Sequence, residues 1–90
     1  MKFRIYFDPK IGKTHLEDHN VSSDEVNEFF TNSNYFERKR KDRSFVAYGK
    51  LQNNRYLEFV YRKLSRNTIY IITGYDIEDQ NKIYDIEANL

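Results

Sequence analysis

The sequence predicts a small α+β domain in the order β-α-α-β-β-β-α, a small antiparallel sheet with helices packed on one face. Three observations carry that prediction. Residues 2–7 alternate apolar and polar side chains, the pattern of a half-buried strand. Ser22 and Glu25 form a capping box ahead of Val26, Phe29 and Phe30, an apolar stripe at helical spacing. Three apolar runs in the second half are separated by Gln52-Asn53-Asn54 and Ser65-Arg66-Asn67, as in a strand meander.

Each element follows from local chemistry. In the first strand Phe3, Ile5 and Phe7 share one face, Arg4 and Tyr6 the other. Asp8-Pro9 then reads as an N-cap and a first helical proline, opening a helix over residues 9–18. Gly12 weakens that helix by about 1 kcal/mol relative to Ala. Asn20 is suited to a left-handed cap. Val21 and Val26 are placed to staple the second helix at its start, and the polar residues 31–34 end it. Strands follow at 44–51, 55–64 and 68–75, with residues 35–41 as an edge pairing. Leu57, Phe59, Tyr61, Ile69 and Ile71 make the core stripe. Asp76 caps a last helix to about residue 88, which packs Ile83 and Ile86.

Ninety residues make a single domain, residues 1–90. Such a chain buries only about 60–65% of its unfolded surface, and 7 Phe with 8 Tyr compensate for the modest core. Without cysteine, neither disulfides nor a thiolate metal site are expected. No apolar run approaches membrane-spanning length and the N-terminal residues lack a signal-peptide core, so the expected location is cytoplasmic. Net charge is only +1, yet five of the seven residues from Glu37 to Arg43 are basic. A nearly neutral chain can therefore carry a basic face for phosphates.

The segment from Phe7 to Val26 is the most informative. Phe7-Asp8, His19-Asn20-Val21 and the Ser22 to Val26 helix start resemble, without a gap, the opening of the BrnT-type toxins, a branch of the RelE-like ribonuclease toxins. In that family an aromatic-Asp pair ends the first strand, a helix finishes in Lys-His-Gly-Val, and a second helix starts on Ser with acidic residues. Downstream, Arg43 to Gly49, Leu57 to Tyr61, Ile71-Ile72-Thr73-Gly74 and Tyr84 follow the family's order: an Arg-bearing strand, a long apolar strand, an Ile-Ile-Ser-Ala-Arg strand and a terminal helix with a Tyr. Three positions depart. The family's first-helix Lys maps onto Ile11, the Lys before its His onto Asp18, and the Arg closing its last strand onto Tyr75.

The resemblance implies a RelE-like fold and an endoribonuclease that works without metal or other cofactor. It also implies a small cognate antitoxin, with a homodimer or a toxin–antitoxin heterotetramer as the assembly. Such cleavage drives a ribose 2′-hydroxyl onto the adjacent phosphate. It needs a base, an acid for the leaving 5′-oxygen and a cation for the added charge. Arg43, mapped onto the family's strand Arg, is the candidate phosphate contact. His19 is a candidate acid–base group, and Tyr75 and Tyr84 are candidate acid–base or base-stacking groups. Arg38, Lys39, Arg40 and Lys41 with Arg43 are the candidate RNA-binding residues. Each has a plainer reading: a charged loop or edge strand that resists sheet-to-sheet pairing, a histidine bonding the joint at Asn20, tyrosines packed at a sheet rim. His15 and His19 stand four apart, but two ligands without a Cys or a placed carboxylate assign no metal. Two other functions fit the same residues. One is a non-catalytic RNA- or protein-binding module, since Tyr75 replaces the closing Arg. The other is an interaction domain whose acidic helices meet a partner.

Overall fold

The structure is a computed structural model that describes the backbone of residues 1–90 and every side chain except that of Asn32. The chain begins with β1 (Lys2–Ile5), followed by a two-stranded ribbon of β2 (Phe7–Asp8) and β3 (Lys13–Thr14). Two helices follow, α1 (His15–Asp18) and α2 (Ser23–Asn32). Four strands come next: β4 (Tyr35–Lys39), β5 (Phe45–Lys50), β6 (Tyr56–Ser65) and β7 (Thr68–Asp76), and the last element is α3 (Gln80–Asn89). The main sheet has the order β1-β7-β6-β5-β4. The meander is antiparallel, but β1 lies parallel to β7, pairing Phe3 with Ile69 and Ile5 with Ile71. The sheet is thus mixed rather than antiparallel. The long crossover from β1 through the helices lets the first strand return alongside the last in the same direction. The α+β class holds.

Alternation along the strands separates two faces. On the first, Ala47, Leu57, Phe59, Tyr61, Ile69 and Ile71 meet Leu16 of α1 and Val26, Phe29 and Phe30 of α2. Phe29 contacts Phe59 edge-on with ring centroids 4.7 Å apart, and Phe30 meets Tyr61 at 5.2 Å. Each such side chain contributes about 1.5–3 kcal/mol through burial. The capping box at Ser22 and Glu25 is formed in both directions. Val21 and Val26 are both buried beside it, and Asn20 takes the left-handed conformation, with φ 58°.

The expected helix over residues 9–18 is instead a turn, a ribbon and one helical turn. Asp8 accepts the backbone N–H of Lys10 on its side chain, while its carbonyl accepts the N–H of Gly12. Gly12 sits at φ +70°. These bonds close the chain into a turn that the proline fits equally well. Thr14, not Asp8, caps the helix that follows, accepting from the N–H of Glu17. Phe7, expected on the core face, is 55% exposed because it belongs to the ribbon. The last helix starts after Asp79 rather than Asp76, since Asp79 accepts from the N–H of Asn81. Asp76 remains at the end of β7 and pairs with Arg55.

α3 lies on the other side of the sheet from α2, which corrects the expectation of helices on one face. Its Lys82 approaches Glu58, and its Glu87 bonds Lys50 and Tyr56. Those three sheet residues belong to the parity opposite Leu57 and Phe59. Ile86 is buried and Ile83 half-buried, so the apolar side of α3 covers one end of the second face.

Candidate functional site

The second face is built in rows that can be followed across the strand register. Arg4, Tyr70 and Arg62 stand side by side on β1, β7 and β6. The next row carries Thr73, Val60, Val46 and Arg38 on β7, β6, β5 and β4, and the one after it Tyr75, Glu58, Tyr48 and Phe36. The helix α3 covers the end with the third row. The rest is a half-exposed surface of arginines and aromatic rings. Tyr6 extends it at the edge, 6.5 Å from Tyr70 between ring centroids.

At its centre lies Glu58, a carboxylate whose side chain is only 8% exposed. One oxygen accepts the hydroxyl of Tyr75. The other, Oε1, is buried without a hydrogen bond, and the Lys82 ammonium stands 3.7 Å from it. That ion-pair distance is beyond a good hydrogen bond, so the lysine neutralises the charge without satisfying the oxygen. Burial, then the bond to Glu58, raise the Tyr75 pKa to about 12. Tyr48 acts in the same direction and the Arg40 charge opposes it. At neutral pH Tyr75 is therefore a proton donor.

The expected site residues divide between several places. Arg38 and Arg40 lie on or over this face; Arg38 packs its guanidinium 5.4 Å from the Phe36 ring centroid. Lys39 pairs with Phe45 and shares its side, the α2 face. Lys41 and Arg43 belong to the β4–β5 turn, so Arg43 precedes the strand instead of opening it. Its φ is 70°, in the left-handed region where Gly or Asn is usual. Asp42 bonds the backbone N–H of Ser44 and has its carboxyl pKa lowered by the Ser44 hydroxyl and N–H. Arg62 donates to the Asp42 carbonyl at 3.1 Å, tying this turn to the first row. His19 packs 5.8 Å from Tyr75 between ring centroids. Tyr84 is 66% exposed. On α3 it falls on the side away from Ile86 and so stands outside this constellation.

It is His15, not His19, that has a carboxylate partner. Its Nε2 lies 3.0 Å from Asp8, with the ring edge-on to Tyr6. The bond to His15, then the Lys10 N–H, hold the Asp8 carboxyl below its usual range. Among the described residues no three His, Cys, Asp or Glu side chains converge on a point that could hold a metal. The residue that sequence reasoning missed is Glu58. Its signal was present: an acid inside Tyr56-Leu57-Glu58-Phe59-Val60, one place out of phase with the core stripe. Comparisons with family models, with characterised proteins and with solved structures find no match for the chain.

Proposed function

We propose that this chain acts on RNA as a toxin of the BrnT type, cutting single-stranded RNA without a metal and held in check by a small antitoxin. The observation that supports this reading is the composition of one sheet face: Arg4, Arg38, Arg40 and Arg62 with Tyr6 and Tyr70 on its open part, and Phe36, Tyr48 and Tyr75 half-exposed at the end that α3 covers. Open sheets bearing aromatic rings and arginines suit unpaired nucleotides, because each base stacks on a ring and each phosphate meets a cation. On this reading Arg40 and Arg43 neutralise the scissile phosphate. The 2′-hydroxyl proton passes to the Tyr75 oxygen, and the Tyr75 proton to Glu58, as the O2′–P bond forms. Tyr75 gives its proton to the 5′-oxygen as the P–O5′ bond breaks, and recovers one from Glu58.

The burial of Glu58 favours a second reading, a non-catalytic RNA-binding module, in which the Glu58–Tyr75 pair only shapes the face. Purified protein incubated with labelled single-stranded RNA in chelator separates the two. Cleavage that is lost in Glu58→Gln supports the ribonuclease. Binding that weakens steeply with salt, without cleavage, supports the module. If neither cleavage nor salt-dependent binding occurs, and expression leaves cell growth unchanged, both readings fail.

A further inference from the structure

Between α3 and the β4–β5 end of the sheet lies a hollow of about 80 Å³ lined by Phe36, Arg38, Tyr48, Lys82, Asp85 and Ile86. It has room for about two or three waters, and so for the pairing edge of a base whose ring system lies against the half-exposed aromatic wall. Phe36 and Tyr48 form one wall, stacked at 5.4 Å with 29° between ring planes. The polar groups facing the wall have unused capacity. Among the described residues the Asp85 carboxylate joins no ion pair or hydrogen bond, and Arg38 has no carboxylate partner, its guanidinium resting over the Phe36 ring. Lys82 reaches Glu58 only at 3.7 Å and makes no hydrogen bond to it. The hollow thus combines a stacking surface, a free carboxylate acceptor and two cationic donors.

We propose that this hollow is a guanine-binding pocket. The base stacks along the Phe36–Tyr48 wall, Asp85 accepts the N1–H and N2–H donors, and Lys82 or Arg38 donates to O6. Of the four RNA bases, only guanine offers two adjacent donors beside an acceptor on its pairing edge. Adenine would turn its N1 lone pair onto the carboxylate. Uracil has a single donor between two acceptors, and cytosine a single donor group beside two acceptors. A carboxylate paired with cationic donors therefore selects guanine by complementarity and rejects the others by repulsion. The proposal rests on the RNA reading only for the source of the base, an unpaired guanosine in single-stranded RNA. A free guanine nucleotide carries the same chemistry.

The test measures binding of short single-stranded oligonucleotides that differ at one guanosine, replaced by inosine, which lacks the N2 amine, or by adenosine. The wild type is expected to prefer guanosine by about tenfold, the loss of one charge-assisted bond. Asp85→Asn should abolish the preference, weakening the guanosine oligonucleotide and relieving the repulsion of the adenosine one. The position is exposed, and matching circular dichroism of the variant establishes that its fold is kept. Phe36→Ala should weaken all three. Equal binding of the three by wild type overturns the pocket while the RNA reading stands. Failure to bind any oligonucleotide, with guanosine monophosphate still bound and lost in Asp85→Asn, keeps the pocket and removes RNA as its source. Binding of neither overturns the pocket and the RNA reading together.

Discussion

Gly74→Ala is the sharpest probe of how this fold places its second face. Gly74 pairs with Phe59 across β6 and β7, and the phenyl ring occupies the space a side chain at position 74 would need. A Cβ there would come within 2.4 Å and 2.6 Å of two Phe59 ring carbons and 2.8 Å of a Leu16 methyl. Both neighbours are core residues, exposed by 0% and 2%, so neither can swing into solvent. Overpacking of this kind costs about 1–3 kcal/mol. Replacing glycine in an unstrained strand instead gains about 0.5–1 kcal/mol. The expected net is a destabilisation of about 1–2 kcal/mol, or roughly 5–15 °C in a domain of this size. Urea unfolding followed by tyrosine fluorescence reads the midpoint, with an unchanged m-value. Because Glu58 and Tyr75 immediately adjoin the clashing pair, the Tyr75 acidity should move as well. The double variant with Phe59→Leu should be non-additive, recovering at least about 0.5 kcal/mol. A neutral or stabilising Gly74→Ala, or strict additivity with Phe59→Leu, would refute the close approach.

Arg43→Gly should stabilise the fold by up to about 1 kcal/mol, since φ 70° penalises a side chain that glycine lacks, while weakening any phosphate contact; a lowered melting temperature would sink the strain argument. Arg55 donates to Glu25, to Asp76 and to the Asn20 carbonyl at 2.9 Å. Arg55→Met should cost about 1–2 kcal/mol, because the lost bonds are charge-assisted but partly screened, and a change below a few tenths would show the pairs to be idle. Asp8, Asp18 and Asp42 have pKa values lowered by the His15, Lys13 and Ser44 hydrogen bonds respectively. Their contribution to stability is complete above the unfolded value near about 4 and is lost as pH falls through the lower folded values. Chemical denaturation from pH 7 to pH 2 should therefore show stability falling only below about pH 4. At the alkaline end the sign reverses. Burial first, then the bond its hydroxyl donates to the Glu37 carboxylate, raise Tyr61, and Tyr75 is raised to about 12. Stability should decline as pH rises from the unfolded tyrosine value near about 10 toward the folded ones. Tyr35 and Tyr56 are raised as well, by burial and by the Glu87 hydrogen bond respectively, so ultraviolet titration should show four of the 8 Tyr ionising late, and eight coincident titrations would contradict these shifts.

Where the sequence was legible, one local rule acted without competition. The box at Ser22 and Glu25, the left-handed Asn20 and the alternation of Leu57, Phe59 and Tyr61 each specify their element from within a few residues. The segment after Asp8 was not legible, because Asp-Pro serves a helix start and a turn equally. The choice went to the turn through the Lys10 and Gly12 bonds and the Asp8–His15 pair, seven residues apart. The parallel placement of β1 and the side taken by α3 are long-range outcomes. Both depend on which sheet surface remains after α1 and α2 have covered the other, and no local pattern in residues 2–5 or 80–89 encodes that. The site followed the same division. Arg38 and Arg40 were visible as a basic run, while Glu58 emerged only when register paired it with Tyr75.

That pairing also bears on the proposed toxin reading, which expects an arginine at position 75. An arginine at position 75 would stand across β6 and β7 from Glu58 and form a salt bridge inside the sheet face, fixing both charges there. A tyrosine satisfies one carboxylate oxygen with a neutral hydroxyl and leaves the charge uncompensated on the strand. The compensating cation then comes from outside the sheet, and among the described residues Lys82 of α3 is the one paired with it, at 3.7 Å. Exchanging the guanidinium for a phenol thus transfers the neutralising charge from a strand to a helix at one edge of the face. A buried carboxylate that loses its only cation is costly, so α3 and Glu58 hold each other in place. Any ligand that engages Lys82 must weaken its hold on Glu58. Occupation of the hollow beside α3 and the ionic hold of α3 on Glu58 are therefore linked through a single ammonium group.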